Sequence, residues 1–209
     1  MPPKMQTRLD MSIVPISMYS MTKYDNLIEA AKTLLWEKGF DATSPKAIQA
    51  LGNAGQGSFY HHFKSKKDLA ARAMEAVVDD RIVAFDRLFG DSGPVLERIE
   101  RVLLEPRDTL KGCRIGRMVW DSAITQVELK QPIERYFRHV ETRILEALER
   151  ASAAGEIEVQ VPLPQIATAV LAAVQGALTI GRAMQDPEWY DRSIKGAISL
   201  IKCTLDSTP

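Results

Sequence analysis

The chain of 209 residues is short of several things. It has two cysteines and three histidines, its aromatic content is 7%, and its formal charge is zero, with 27 basic residues against 27 acidic. Two cysteines build no disulfide framework and fit a reducing, cytoplasmic setting. Three histidines leave little for a metal centre. His61 and His62 are adjacent, so on a helix they point about 100° apart and make a poor ligand pair. No H-E-x-x-H, phosphate-cradling glycine loop or nucleophile motif is present, so the sequence implies no enzyme, no cofactor and no metal. The one nearly apolar run, Ile166 to Gly181, falls short of the roughly 20 residues a membrane span needs and contains Gln175. No membrane partner is expected. Residues 1–21 hold charges and three prolines but no continuous apolar core, which argues against a secretory signal. They read as a mobile arm, and Met1, Met5, Met11, Met18 and Met21 leave the translation start open.

Charge is distributed unevenly. Residues 1–75 hold 10 Lys/Arg and 7 Asp/Glu, whereas residues 76–209 hold 17 and 20. Between Thr43 and Arg72 there are five basic residues and one acidic. This excludes a general nucleic-acid coat but suits a small basic head on a mildly acidic body.

The densest chemistry lies in Ser58-Phe59-Tyr60-His61-His62-Phe63-Lys64-Ser65-Lys66-Lys67-Asp68-Leu69. Phe59 and Phe63 share a helix face that can be buried, leaving polar and basic groups in front. Ser65 reads as an N-cap, with Asp68 at the positive end of the next helix. Upstream, Ser44-Pro45 starts a short helix whose anchors are Ile48 and Leu51, and Gly52-Asn53-Ala54-Gly55 breaks it. A helix, a four-residue turn and a second anchored helix make a helix-turn-helix, so the pattern points to DNA.

These residues resemble the N-terminal domain of TetR-type transcriptional repressors. The likeness is carried by Leu27-Ile28-Glu29-Ala30-Ala31, Leu34-Leu35, Glu37 to Ser44, Ile48, Gly57 to Phe63, Lys66 and Leu69, about a fifth to a quarter of the chain. It implies an all-α protein: a three-helix DNA-binding head at 22–68 and a six-helix ligand-binding and dimerisation body at 69–209. It also implies a homodimer on a double-stranded, near-palindromic operator, released by a small-molecule inducer. By position, Gln56, Gly57 and Ser58 would approach base edges, while Tyr60, His61, Lys66 and Ser44 would bond phosphates. Two departures bear on the turn and on the bases read: Asn53-Ala54 stands where the family has a turn glycine and an apolar residue, and Gly55-Gln56 where it has Ser-Lys.

The body reads as helices over Lys66–Phe89, Pro94 to about Leu104, Ile115 to about Val127, Pro132–Ala154, Leu163 or Pro164 to Met184, and Pro187–Leu205. Ile166–Gly181, with the stripe Ile194, Ile198, Ile201 and Leu205, is expected to form half of an intermolecular four-helix bundle spanning about 163–205. Cys113 lies in Gly112-Cys113-Arg114-Ile115-Gly116, between cations and before an expected helix start, a setting that favours thiolate. A Gly-Cys pair of this kind is similar to one in a subset of TetR-type repressors that respond to electrophiles or oxidants. The alternatives are a small residue lining a pocket or filling a junction. Met118, Trp120 and Phe137 are the other candidate ligand contacts, and Arg117 is a candidate i,i+4 partner of Asp121. Cys203 is expected to be buried packing. A rival reading keeps the basic helix but assigns it to a protein partner.

Overall fold

The computed structural model describes residues 21–205; the arm assigned to 1–21 lies outside them except for Met21. Eight α-helices account for most of the fold: α1 (Lys23–Lys38), α2 (Pro45–Leu51), α3 (Gln56–His62), α4 (Lys66–Phe89), α5 (Val95–Leu103), α6 (Val127–Ala153), α7 (Leu163–Met184) and α8 (Pro187–Leu205).

The head is α1 to α3 with the start of α4. Thr22 opens α1 with a capping box: its side chain accepts from the Asp25 N–H, and the Asp25 carboxylate accepts from the Thr22 N–H. Ser44 caps α2 by accepting from the Ala47 N–H at 3.1 Å, with Pro45 at the first helical position. Ser65 caps α4 in the same way through the Asp68 N–H at 3.1 Å. The buried faces of these helices meet at Leu27, Ala31, Ile48, Phe59, Phe63 and Leu69. Leu51, expected to anchor α2, is exposed instead.

The turn between α2 and α3 uses the unusual residues the sequence offers. Asn53 takes the left-handed conformation at φ 47°, which asparagine tolerates better than most residues. Lys23 Nζ donates to its carbonyl at 2.6 Å, fixing the turn to α1. Gly52 faces the Asn26 carbonyl so closely that a Cβ would sit 3.1 Å from it.

α4 runs from head to body without a break, burying Leu69, Ala70, Ala73, Met74, Val77, Val78, Phe85 and Phe89 against both. At its C-terminus Arg98 is buried, and its guanidinium donates to the Phe89 and Gly90 carbonyls while lying 4.2 Å over the Phe89 ring. Arg101 also donates to the Phe89 carbonyl, at 3.1 Å, so the carbonyls at the end of α4 are satisfied by side chains of α5. α7 packs between α6 and α8.

Two body expectations are corrected. The helix expected at Ile115–Val127 is instead two 3₁₀ turns, Gly116–Trp120 and Ser122–Thr125. Asp121 between them is extended, at ψ 165°. Its carboxylate is drawn to the head, and the Ser122 N–H donates to Asp41 rather than back along a helix. Contacts to the head therefore override the helical period. The body consequently has α4 to α8 and two 3₁₀ turns, not six helices. The next helix starts at Val127, five residues before Pro132, with Leu129 as a buried anchor; Pro132 lies inside the helix and takes away the N–H that would bond the Glu128 carbonyl. The stripe Ile194, Ile201 and Leu205 faces inward, and Cys203 is exposed. The exposed face of α8 carries Trp189 and Leu200 instead.

Candidate DNA interface and ligand cavity

On α3 the sequence separates its two jobs. Phe59 is fully buried, and Tyr24 stacks on Phe63 at 5.1 Å, fixing the rear of the helix. Gln56, Gly57, Tyr60 and His61 are exposed, Ser58 is half-buried, and a Cβ on Gly57 would meet nothing within 4 Å. Gly55 caps α3 without a side chain, so the helix start carries no bulk in front. His62 is half-buried, edge-on to Tyr24 at 5.8 Å. Ser44, at the start of α2, is exposed.

Lys66 is placed differently from the other expected phosphate contacts. Its ammonium donates to the Phe40 carbonyl at 3.0 Å and lies 4.1 Å over the Phe40 ring. The side chain ties α4 to the end of α1, which leaves its backbone N–H at the α4 N-terminus as the group facing outward chemistry.

The 3₁₀ segment is where body meets head, and sequence reasoning missed it. The Asp121 carboxylate accepts from the Phe40 N–H at 2.9 Å. Asp41 accepts from both the Ser122 N–H and hydroxyl, and these bonds hold its carboxyl below the usual range. Arg117 donates from Nη2 to the Lys38 carbonyl at 3.1 Å; it does not pair with Asp121. Trp36 donates to the Gly112 carbonyl at 3.0 Å. Partners lie 76 to 81 residues apart in sequence, so no local signal announces them. Gly39, at φ 83° and ψ 175°, is the hinge point: only glycine adopts this conformation readily, and a Cβ there would run into the Asp121 carboxylate. Gly39→Ala is expected to cost about 1–3 kcal/mol, read as a lowered Tm; an unchanged Tm would refute the strain and the contact together.

Behind this strap lies a half-open cavity of about 790 Å³. Cys113, Trp120 and Phe137 line it, together with Arg117, Gln175 and Arg182. Met118 does not; it is fully buried in the core. A second space of about 280 Å³ shares Gly112, Cys113 and Leu178 with the first and reaches Trp36, Arg107 and Tyr136. Burial pushes the Tyr136 hydroxyl up, so at neutral pH it remains a donor.

The setting expected for Cys113 is not found. No α-helix starts after it, and Lys111 and Arg114 both lie over the Trp36 ring, at 4.9 and 4.4 Å. The Cys113 sulfur accepts from the Gly116 N–H at 3.2 Å and faces Gln175 Nε2 at 3.7 Å. A Cβ on Gly116 would lie 2.6 Å from Gln175 Oε1 and 3.2 Å from Cys113 Cβ, so glycine lets the Gln175 amide come close to this turn.

Comparison with known proteins agrees with this geometry over both parts of the chain. Residues 27–73 match the model of bacterial regulatory proteins of the tetR family, and residues 95–197 match the tetracyclin repressor-like C-terminal domain. An HTH-type transcriptional regulator from the lacX 3′ region of Lactococcus lactis subsp. lactis is 27% identical over 175 residues, covering 78% of this chain and 84% of its own. The HTH-type transcriptional repressor DhaR of Mycobacterium sp. (strain GP1) is 24% identical, covering 73% and 79%. Among solved structures, reduced NemR of E. coli superposes with a TM-score of 0.77 at 17% identity, covering 88% of this chain and 97% of that one. A TetR-family regulator from Cytophaga hutchinsonii gives 0.77 at 18%, covering 90% and 99%. With a helix-turn-helix head, a helical body holding a cavity, and both family models matched in order, the chain belongs to the TetR family and is a ligand-responsive DNA-binding transcriptional regulator.

Proposed function

We propose that the protein is a repressor that binds a near-palindromic operator as a homodimer and leaves it when a small molecule enters the body. The observation that carries this reading is the outward edge of α3. The side chains of Gln56, Ser58 and His61 make no hydrogen bond to any described residue, while the aromatic residues behind them are locked in the core. Gln56 would pair bidentately with adenine, and Gly57 would let the backbone approach a base methyl. Ser44, Tyr60, His61 and the Lys66 N–H would hold phosphates. Lys66's own ammonium contributes mainly by keeping α4 in register with α1.

Dimerisation is supported by α7 and α8. α7 is long and apolar enough to cross a membrane by composition alone, yet only 33% of its most apolar window is buried within the chain. Gly176 and Gly196 face open space, so a second copy's helices could approach closely. In a two-fold dimer the recognition helices would sit about 34–36 Å apart, one DNA turn.

A gel-shift titration with DNA from upstream of the gene, at two salt concentrations and with competitor, tests the reading. With 6–10 phosphate contacts per dimer, affinity should fall by about 10³–10⁵ between 50 and 200 mM salt. Gln56→Ala should blunt discrimination between operator and competitor and leave the salt slope unchanged. A salt-independent interaction, or discrimination untouched by Gln56→Ala, would refute the assignment of α3 and favour a protein partner.

A further inference from the structure

The larger cavity combines an apolar wall with cations that no acid balances. Trp120, Phe137 and Leu178 supply apolar surface, Trp120 being 80% exposed. Arg117 and Arg182 supply charge, and no Asp or Glu lines the space. Almost every other arginine of the body that lies in its core packing is answered by a carboxylate: Arg81 by Glu105 at 3.1 Å, Arg107 by Glu105 at 2.9 Å, Arg143 by Asp91 at 2.6 Å. Arg117 and Arg182 hold only backbone carbonyls, those of Lys38 and Lys111, at 3.1 and 2.7 Å. Arg117 Nε is buried without any hydrogen-bond partner.

We propose that this cavity binds a small organic anion, a carboxylate on an aromatic or aliphatic body, between Arg117 and Arg182, and that the anion frees the head by taking Arg117 from Lys38. This rests on the ligand-responsive reading above and names the chemistry of the ligand. The argument is one of competition for a single guanidinium edge. Nε and Nη2 form the side of the fork that a carboxylate grips with two parallel hydrogen bonds. In the structure Nη2 is spent on a neutral carbonyl and Nε on nothing. A carboxylate offers two charge-assisted bonds where the present arrangement has one neutral acceptor, so the exchange favours the ligand. Lys38 ends α1, and its neighbours Phe40 and Asp41 are held by Asp121 and Ser122 on the same 3₁₀ segment. A ligand that turns Arg117 therefore pulls on the strap that joins the cavity to the turn before α2. Binding and head release are then linked through differential contacts, which is what an allosteric effect requires. Arg182 has a second part. Its stem lies beside Gly112, where a Cβ would be 3.7 Å from Arg182 Cδ, so it offers the ligand a second cation while Arg117 alone carries the pull on Lys38.

The test uses benzoate, 2-naphthoate and dodecanoate, each paired with its uncharged amide. Calorimetric titration of the full-length protein reads binding, and gel shift on its upstream DNA reads release. At least one acid should bind about tenfold or more tighter than its own amide. Arg117→Met keeps the apolar stem and should erase that preference and the acid's effect on DNA. Arg182→Met should reduce the preference but leave release by the bound acid intact, which guards against an Arg117 variant that merely misfolds. Amides matching their acids throughout, or no binding of any pair, would overturn the site. An acid that binds through Arg117 yet leaves DNA affinity unchanged would overturn the coupling. Operator binding is measured first without ligand: its loss alone would sink the repressor reading, whereas an acid preference in such a protein would still support the anion site.

Discussion

Phe59→Ala is expected to abolish operator binding while the body stays folded. Phe59 is fully buried, its ring centroid 5.1 Å from Tyr60 and 6.0 Å from Phe63, in a small head core where it meets Phe63. Truncating a buried phenylalanine costs about 3–5 kcal/mol, because the lost transfer energy is joined by a cavity that the surroundings only partly fill. Domains are stable by roughly 5–15 kcal/mol in total, and a small head has little to spare. The body has its own core, from Ile99 and Leu103 to Ile144 and Leu148, untouched by this change. Circular dichroism should therefore show partial loss of helix and a split thermal transition, with no specific gel shift. Tyr60→Ala makes the control. Tyr60 is exposed, so its loss should leave the melt alone yet weaken all DNA sequences alike, by about 10- to 100-fold for one hydrogen bond to a charged group. A Phe59→Ala protein that bound the operator like wild type would mean α3 does not depend on its rear anchor.

That contrast also marks where the sequence was readable. Head and recognition helix were legible because their determinants are local: Thr22, Ser44 and Ser65 cap helices from within three residues, and Phe59 and Phe63 declare a face by spacing. Asn53, which looked like a departure, simply supplies the left-handed turn residue itself. The segment after Cys113 was misread for the opposite reason. Met118, Val119 and Trp120 have helical composition, but Asp121 and Ser122 answer to Phe40 and Asp41, 81 residues away. Periodicity cannot report such a contact. Lys66 shows the same limit at a single side chain: its motif position is that of a phosphate ligand, while the fold turns its ammonium onto Phe40. On α8 two apolar stripes share the helix, and only packing tells that Ile194, Ile201 and Leu205 turn inward while Trp189 and Leu200 stay exposed.

The second stripe leads to the other large expected effect. Leu200 is 72% exposed on α8, and Trp189, Ile180 and Met184 are exposed apolar residues on the same pair of helices. In a lone chain such exposure is costly surface; across a two-fold axis it is interface core. Leu200→Arg should therefore be tolerated by the monomer fold and punished in the dimer. In the proposed dimer each copy would lose the burial of a leucine, worth about 1.5–3 kcal/mol, and would bring an arginine's charge into the interface. Because a two-fold contact is isologous, the penalty would count twice per dimer, so dissociation should be favoured by at least about 10²-fold. Light scattering after size exclusion should move the particle toward the 23.3 kDa chain mass, with an unchanged far-ultraviolet spectrum. DNA binding should fail in a particular way. A monomer presents one recognition helix and about half the phosphate contacts, so the slope of log affinity against log salt should drop to about half that of the wild type. Loss of affinity with the full slope retained would place the dimer elsewhere, and a variant that stayed dimeric on the operator would show that the exposed face of α8 is not what joins the two copies.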